Sequence, residues 1–203
     1  MLEVNATRME LMRLKKRLKL AQRGYDLLKR KQDELMRQFL ELVEQIGNLR
    51  TEIEDRLANA HREFLMARSV MDRETMEESI MFPNQTLNMN VSTVPVMNLR
   101  LPRFDVKSEG SVYSYGLSTT SGDLDSALGA YSELLPEMLR LSHVERSVQL
   151  LANEIEVTRR RVNALEYILI PNLQDTIKYI TMRLDEMERS NLSRLMKVKE
   201  IVS

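Results

Sequence analysis

The 203-residue chain is 30% charged and 5% aromatic, lacks cysteine and tryptophan, and balances 30 basic against 30 acidic residues. This composition is typical of long helices rather than of a large core, and the absence of cysteine excludes a disulfide framework and a thiolate metal site. The zero balance conceals segregated charge, because residues 8–31 are strongly basic and residues 52–78 are acidic.

An N-terminal helix is predicted to begin at Thr7, because Thr7 and Glu10 have the spacing of a capping box. From Leu11 onward, steps of three and four residues land almost entirely on apolar side chains, which is the pattern of a coiled-coil seam. The seam positions are Leu11, Leu14, Leu18, Ala21, Tyr25, Leu28, Gln32, Leu35, Phe39, Leu42, Ile46, Leu49, Ile53, Arg56 and Ala60. Beyond Ile53 the spacing of three and four residues continues, shifted by one residue, with Leu57, Ala60, Phe64, Ala67 and Met71. Pro83 should end the helix by Phe82.

Residues 83–122 have a different period and are predicted to form a small β insertion. Apolar and polar residues alternate there in two runs, as expected for the strands of a hairpin. The apolar members are Leu87, Met89, Val91, Met97, Leu99 and Leu101. Residues 92–95 are the expected link between the strands, and residues 105–122 are expected to form a loop with a short strand at 112–117.

The apolar rhythm returns in a C-terminal helical region, residues 123–200, for which Asp123 is a candidate N-cap. Its seam positions are Leu141, Val144, Val148, Leu151, Ile155, Thr158, Val162, Leu165 and Leu169, and then Leu173, Ile177, Ile180, Leu184 and Met187. Pro171 is expected to kink this region, because proline removes a backbone hydrogen bond and clashes with the preceding turn.

These elements predict a mostly α fold with three parts. The N-terminal long helix (7–82) and the C-terminal region (123–200) form a long antiparallel two-helix coiled coil, and the β-hairpin and loop insertion (83–122) lies between them in the sequence. A continuous first helix would be roughly 110 Å long, too long for a compact domain, so its seam needs a partner helix. Folding back through the insertion predicts a register in which Met81 meets Leu124. Tyr25 should then lie near Ile180 and Ile46 near Arg159, each within about two helical turns.

No residue pattern points to catalysis. The glycines do not form a P-loop, the two histidines lie in predicted helices, and most carboxylates have the spacing of helical charge pairs. We therefore expect a non-catalytic chain without a cofactor, a metal site or direct nucleotide binding. The sequence shows no signal peptide, and its longest apolar run, residues 167–170, is far shorter than the ~20 residues of a spanning helix. We therefore expect no direct membrane insertion.

Basic residues near both ends of the chain form a candidate partner-binding surface. They are Arg8, Lys15, Lys16, Arg17, Lys19, Arg23, Arg159, Arg160 and Arg161. The three consecutive arginines lie between the seam positions Thr158 and Val162, so their side chains should point away from the seam. Charge and periodicity leave three interpretations open: a solvated face, a nucleic-acid site, or a basic axle that faces acidic protein walls.

Several stretches resemble the D subunit of V-type and A-type rotary ATPases, especially the bacterial form. They are residues 5–11 (NATRMEL), 18–24 (LKLAQRG), 33–39 (DELMRQF), 158–166 (TRRRVNALE), 167–171 (YILIP) and 175–187 (DTIKYITMRLDEM). The resemblance covers essentially the whole chain. Ala6 and Tyr25 depart from the family's usual proline and histidine, but neither change alters the seam pattern.

The resemblance implies a non-catalytic central rotor shaft, or central stalk. Its two terminal helices would turn inside a ring of catalytic A and regulatory B subunits. Its middle part would bind the F subunit and the socket subunit above the membrane rotor ring. Rotation would couple ATP hydrolysis or synthesis to H⁺ or Na⁺ transport, and the chain would be cytoplasmic and peripheral to the membrane. The basic surface would then contact the ring.

Two alternatives remain from the sequence. The γ shaft of F-type ATPases is a related rotor, but its longer α/β domain does not fit an insertion of about 40 residues. A basic coiled-coil arm that binds nucleic acid is the alternative in another functional class. It is disfavoured because the chain has few aromatic residues for base stacking and no recognition module.

Overall fold

Two long helical regions flank a short antiparallel sheet in the computed structural model, which describes residues 5–116 and 118–202. The elements are α1 (Arg8–Val70), α2 (Arg73–Met81), β1 (Thr86–Val96), β2 (Leu99–Glu109), α3 (Gly122–Asn163), a π-helical segment (Ala164–Leu169) and α4 (Ile170–Val202). The predicted fold class, mostly α with a small β-hairpin between long terminal helices, is confirmed.

The chain divides into two compact units. Unit 1 comprises the described residues of Met1–Met36 and Glu154–Ser203, and unit 2 comprises Arg37–Asn153. Unit 1 is therefore built from the start of α1, the end of α3, the π-helical segment and α4. Unit 2 contains the rest of α1 and α3 together with α2 and the hairpin.

The start of α1 confirms half of the predicted capping box. The Glu10 amide donates a hydrogen bond of 3.3 Å to the Thr7 hydroxyl oxygen, which satisfies one of the free amides of the first turn. The Thr7 amide instead donates to the Asn5 carbonyl oxygen at 2.9 Å. The helix therefore begins where the sequence predicts, with one side-chain cap rather than a reciprocal pair.

The seam positions form the buried face of each unit. Every predicted seam position on α1 is buried or half-buried, and on the C-terminal helices only the last one, Met187, is exposed. In unit 1, Leu14 and Ala21 of α1 share a core cluster with Leu173 and Ile180 of α4. Each fully buried leucine or isoleucine of this kind contributes about 1.5–3 kcal/mol, so the seam is the main source of stability.

Ion pairs between helices show that, in unit 1, α1 runs antiparallel to the C-terminal helices. Arg8, near the start of α1, pairs with Glu188 late in α4, whereas Lys31, further along α1, pairs with Glu154 in α3 at 2.5 Å. The predicted direction is therefore correct, but the predicted register is wrong. It would have placed Gln174, rather than Glu154, opposite Lys31.

The break between α1 and α2 gives the physical reason for the register error. α1 ends at Val70 and α2 begins at Arg73, after Asp72 adopts an extended conformation with φ −66° and ψ 147°. The single helix predicted to run to Phe82 is thus two helices. Within unit 2, Leu124 packs in a cluster with Ala67 and Met76 rather than opposite Met81, so the return helix meets α1 earlier than predicted.

The hairpin is longer than predicted and turns at a different place. β1 and β2 pair from Thr86 opposite Glu109 to Val96 opposite Leu99, so Met97 and Asn98 form the turn. The predicted link at 92–95 is wrong, because these residues belong to β1 and Pro95 pairs with Arg100. Proline is tolerated because a two-stranded sheet leaves one edge of each strand unpaired.

The segment after the hairpin contains no strand in its described residues. Residues 105–109, predicted as loop, extend β2, and residues 112–116 are irregular; Leu117, the last residue of the predicted short strand, lies outside the described residues. Tyr115 attaches this segment to α3, because its hydroxyl donates to the Asp125 carboxylate at 2.6 Å. Burial, and then this hydrogen bond, raise the pKa of Tyr115 above its usual range.

Pro171 is the second residue of α4, one residue beyond the end of the π-helical segment. The Ile170 amide bonds to the Leu165 carbonyl oxygen, five residues back, which widens the turn that leads into the proline. A wider turn relieves the clash that a proline ring causes in a regular α-helix. The kink expected at Pro171 stays a prediction, and the feature that the structure shows beside this proline is the π-helical segment. Pro136, in contrast, lies inside α3 without ending it.

Candidate partner-binding surface

All nine basic residues predicted to bind a partner are exposed, and all nine belong to unit 1. Six lie on α1 and three on α3: Arg8, Lys15, Lys16, Arg17, Lys19, Arg23, Arg159, Arg160 and Arg161. They are exposed because the seam positions of the same helices point inward. The heptad pattern that buries the apolar residues therefore also orients these cations toward solvent.

The arginine triplet is the most closely spaced part of this surface. Thr158 and Val162, the seam positions on either side of it, are buried, so the three guanidinium groups project away from the core. Arg160 is 75% exposed and is ion-paired with Glu156, one turn earlier on α3. Exposed pairs of this kind contribute only about 0–1 kcal/mol, so the guanidinium could exchange its partner at little cost.

Two neighbouring lysines of α1 have structural contacts. Lys31 is only 19% exposed and its amino group lies 2.5 Å from the Glu154 carboxylate, so it joins the two helices of unit 1. Lys29 donates to the Tyr25 hydroxyl at 3.1 Å and lies 5.4 Å from the centre of the Tyr25 ring. The hydrogen bond to Tyr25 is the main reason that the pKa of Lys29 is raised. The charge of Lys31 is thus largely enclosed within the seam.

The hairpin residues named from the sequence are unequally placed. On β1, Leu87, Met89 and Val91 are exposed; on β2, Leu99 and Leu101 are half-buried; and Met97 lies in the turn rather than in a strand.

Sequence reasoning missed the contact that attaches β2 to the helices of unit 2. The ring of Phe104 lies 5.8 Å from that of His143 on α3. Phe104 lies beyond the alternating runs from which the strands were predicted. The alternation of Phe104 and Val106 with Asp105 and Lys107 was the available signal.

A second apolar feature of unit 2 also went unpredicted. A cavity of 660 Å³ lies where α1 gives way to α2, lined by apolar side chains that include Phe64, Met71 and Met76 and bordered by charged groups such as Arg68 and Glu77. Its flexible methionines suit an irregular contact surface. The helix break that creates the cavity could not be seen in the sequence, because no proline or glycine marks it.

The π-helical segment exposes two large apolar residues that sequence reasoning also missed. Tyr167 and Ile168 are 70% and 62% exposed. They lie between the seam positions Leu165 and Leu169, so the heptad pattern identified them only as positions outside the seam.

The described residues show neither a metal site nor a membrane-spanning helix. Residues 5–116 and 118–202 contain no group of three or more histidine or carboxylate side chains arranged to hold a metal ion. No helix within these ranges has the length and apolar character that crossing a bilayer requires.

Comparisons with known proteins show the family to which this sequence is similar. The family model for the D subunit of ATP synthase matches residues 10–200. The V-type ATP synthase D subunit from Acetivibrio thermocellus is 53% identical over 99% of this chain and 92% of its own length. The protein of the same name from Thermoanaerobacter sp. (strain X514) is 51% identical, with coverage of 100% and 98%. One from Clostridioides difficile (strain 630) is 52% identical, with coverage of 99% and 92%. Because both the family model and these relatives span nearly the whole chain, the chain belongs to the family of ATP synthase D subunits.

Proposed function

We propose that this chain is the non-catalytic central rotor shaft of a V-type ATP synthase complex. It would transmit torque between ATP hydrolysis or synthesis in a ring of catalytic A and regulatory B subunits and H⁺ or Na⁺ movement through the membrane rotor. The observation that carries the proposal is the match to the ATP synthase D-subunit family over residues 10–200, within which the apolar seam is buried and the arginine triplet is exposed.

The mechanism follows from the helices of unit 1. Torque transmission requires an element that resists bending and twisting, and two helices packed along a buried seam are stiffer than one. Two ion pairs, Arg8–Glu188 and Lys31–Glu154, join α1 to the C-terminal helices and oppose sliding of α1 along them. The core cluster of Leu14, Ala21, Leu173 and Ile180 provides the packing between these pairs.

The same unit is asymmetric about its seam, as a shaft must be if each catalytic interface is to meet a different face in turn. Three consecutive arginines lie on α3, whereas the lysines and arginines of α1 are spread over residues 8–23. The π-helical segment lies between α3 and α4 and has no counterpart in α1. In this proposal the cationic surface of unit 1 faces acidic groups of the A and B subunits.

Unit 2 provides the surfaces proposed for the remaining partners. The exposed apolar residues of β1 and the cavity beside α2 are proposed to bind the F subunit and the socket subunit of the central stalk. With these partners the chain would be cytoplasmic and peripheral to the membrane. The chain itself would hold no nucleotide, and ATP would bind in the ring.

Nucleic-acid binding is the competing function, and the charge distribution disfavours it. Affinity for a phosphate backbone depends on lysine and arginine side chains that neutralise phosphates, and acidic groups among them reduce that attraction. Here Glu156 pairs with Arg160 and Glu188 with Arg8, so acidic groups lie within the proposed surface. The whole chain, moreover, is electrically balanced, with 30 basic and 30 acidic residues.

Replacement of Arg159, Arg160 and Arg161 by Gln tests the proposal. The helices should remain folded, because these side chains are exposed, while binding to the ATP-hydrolysing ring should weaken by roughly 1–3 kcal/mol at low salt and by less at high salt. Ring binding and ATP turnover of the assembled complex measure the effect.

The matched control replaces three exposed arginines of unit 2, Arg50, Arg62 and Arg73, which have polar partners on their own helices. This control should bind the ring normally. Intact ring binding and ATP turnover in the Arg159–Arg161 variant, combined with lost RNA or DNA binding, would favour the nucleic-acid function instead.

A further inference from the structure

The π-helical segment changes which side chains lie on the same face of the C-terminal helices of unit 1. One α turn takes about 3.6 residues and one π turn takes about one residue more, so a spacing of about eight residues completes two turns across the boundary at Ala164. This spacing aligns Arg160 with Ile168, and Arg159 with Tyr167. In an uninterrupted α-helix, residues eight apart would instead be rotated by about 80°.

The aligned residues form a mixed cationic and apolar face, which we call the Arg–Tyr face: Arg159, Arg160, Tyr167 and Ile168. All four side chains are exposed, and the two halves of the face are roughly 12 Å apart along the helix at about 1.5 Å per residue. Arginine and tyrosine are enriched among the residues that dominate protein–protein binding energy, because they combine large contact area with directed polar groups. Single exposed apolar residues are ordinary, but an adjacent pair aligned with arginines is a candidate contact site.

The other helix of unit 1 has the same chemistry. On α1, the exposed apolar residues Leu20 and Leu27 are interspersed with the exposed cations Lys16, Lys19 and Arg23. Both helices therefore present cations beside large apolar side chains. A complementary partner would carry carboxylates next to an apolar pocket.

We propose that the Arg–Tyr face docks on a protein surface in which an apolar pocket is flanked by carboxylates, with Tyr167 and Ile168 as the anchoring side chains. The proposal rests on the proposed function, since that surface would belong to the ATP-hydrolysing ring, and it adds the apolar anchors to the arginines. A protein partner is favoured over a phosphate-rich one because Glu156 and Glu166 lie among the cations and reduce the positive charge.

The test is the double substitution Tyr167→Ala and Ile168→Ala in the full-length chain, titrated onto the ring of A and B subunits from the same organism. Because both side chains are exposed, thermal stability should be unchanged, while affinity for the ring should fall about tenfold or more. The matched control, Leu65→Ala with Met66→Ala, removes an adjacent apolar pair that is 59% exposed at each position but lies in unit 2. Its affinity for the ring should be unchanged.

Single substitutions test the alignment created by the π-helical segment. Arg160→Gln and Ile168→Ala should each weaken ring binding, and because the two side chains lie roughly 12 Å apart their effects should add in the double variant. Leu65→Ala, in unit 2, should leave ring binding unchanged. Normal ring binding by Ile168→Ala, combined with weakened binding by Arg160→Gln, would overturn the shared face.

The outcomes separate this inference from the proposed function. If the Tyr167/Ile168 variant binds the ring normally while the triple arginine variant does not, the apolar anchors are wrong and the shaft assignment stands. If neither variant weakens ring binding, the proposed ring contact itself fails. Binding to single-stranded RNA or to phosphatidylserine vesicles should not depend on Tyr167 and Ile168. If the Tyr167/Ile168 variant bound the ring normally but lost binding to the RNA or to the vesicles, the proposal of a protein partner would be overturned.

Discussion

Thr158 shows that one seam position of unit 1 is occupied by a residue that does not suit it. Its side chain is 1% exposed, and its hydroxyl has no hydrogen-bond partner among the residues that the structure describes. A buried hydroxyl without a partner costs about 1–3 kcal/mol relative to an apolar group of similar shape. The heptad pattern identified the position as part of the seam, but it could not show that the hydroxyl would be unpaired.

Thr158→Val should therefore stabilise the chain by roughly 1 kcal/mol, since valine has nearly the same shape and no polar atom to desolvate. Thr176→Val is the matched comparison: Thr176 is 2% exposed, but its hydroxyl donates to the Asn172 carbonyl oxygen at 2.6 Å. That variant should be neutral or destabilised by up to about 1 kcal/mol. Urea denaturation followed by circular dichroism measures both, and equal shifts in the two variants would contradict this explanation.

Lys31 and Glu154 illustrate a residue-scale role that the sequence could not assign. Lys31 is the last of the basic residues in the range 8–31, and its charge alone does not distinguish it from its exposed neighbours. The structure instead places it in a half-buried ion pair between two helices. Residues far apart in sequence become partners only once the register is set, and periodicity alone does not set the register.

At the scale of elements, the hairpin is where prediction and structure differ most. The strands were recognisable because apolar and polar residues alternate, but Pro95 directed the predicted turn to 92–95. The observed turn contains Met97, whose φ of 52° is unusual for a residue with a side chain, followed by Asn98. No glycine marks this turn, so its position depends on the pairing of the strands rather than on turn residues.

The helices were predicted more completely, for a physical reason. A helix seam repeats a local pattern over many residues, so a single unusual residue such as Gln32 or Arg56 does not obscure it. The break at Asp72 and the π-helical segment depend on tertiary packing and have no repeated pattern. For the same reason the sequence identified the exposed basic residues of the candidate surface but not its apolar members, Tyr167 and Ile168.

Gly110 is predicted to be essential to the base of the hairpin. It has a φ of +97°, and a Cβ atom there would lie 2.2 Å from the Asn84 carbonyl oxygen. Gly110→Ala should destabilise this region by at least about 2 kcal/mol, because the backbone conformation is strained and the contact with a main-chain atom is too close. Amide hydrogen exchange in β1 and β2 should become faster.

Gly116→Ala is the control, since a Cβ atom at Gly116 would meet no atom within 4 Å. Exchange in the hairpin should be unchanged in this variant. Unchanged exchange in the Gly110 variant as well would show that the hairpin is not held by the close approach of Asn84 and Gly110.

At the scale of the whole molecule, the segregated charge and the heptad seam have a common interpretation. Seam residues hold the helices of each unit together, and the cations that cannot enter the seam remain exposed on unit 1. As a member of the ATP synthase D-subunit family, the chain is a subunit of a larger complex, and these exposed cations are accessible to other subunits.

The central claim, that this chain must turn within the ring for ATP to be hydrolysed, has a direct test. The chain contains no cysteine, so Arg160→Cys introduces a unique thiol in the Arg–Tyr face, and a second cysteine is placed on the facing protein of the ring. Disulfide formation in the assembled complex should stop ATP hydrolysis, and reduction should restore it. The same variant without the ring cysteine should hydrolyse ATP equally fast under oxidising and reducing conditions. Full ATP hydrolysis in the completely crosslinked complex would contradict the rotor-shaft account.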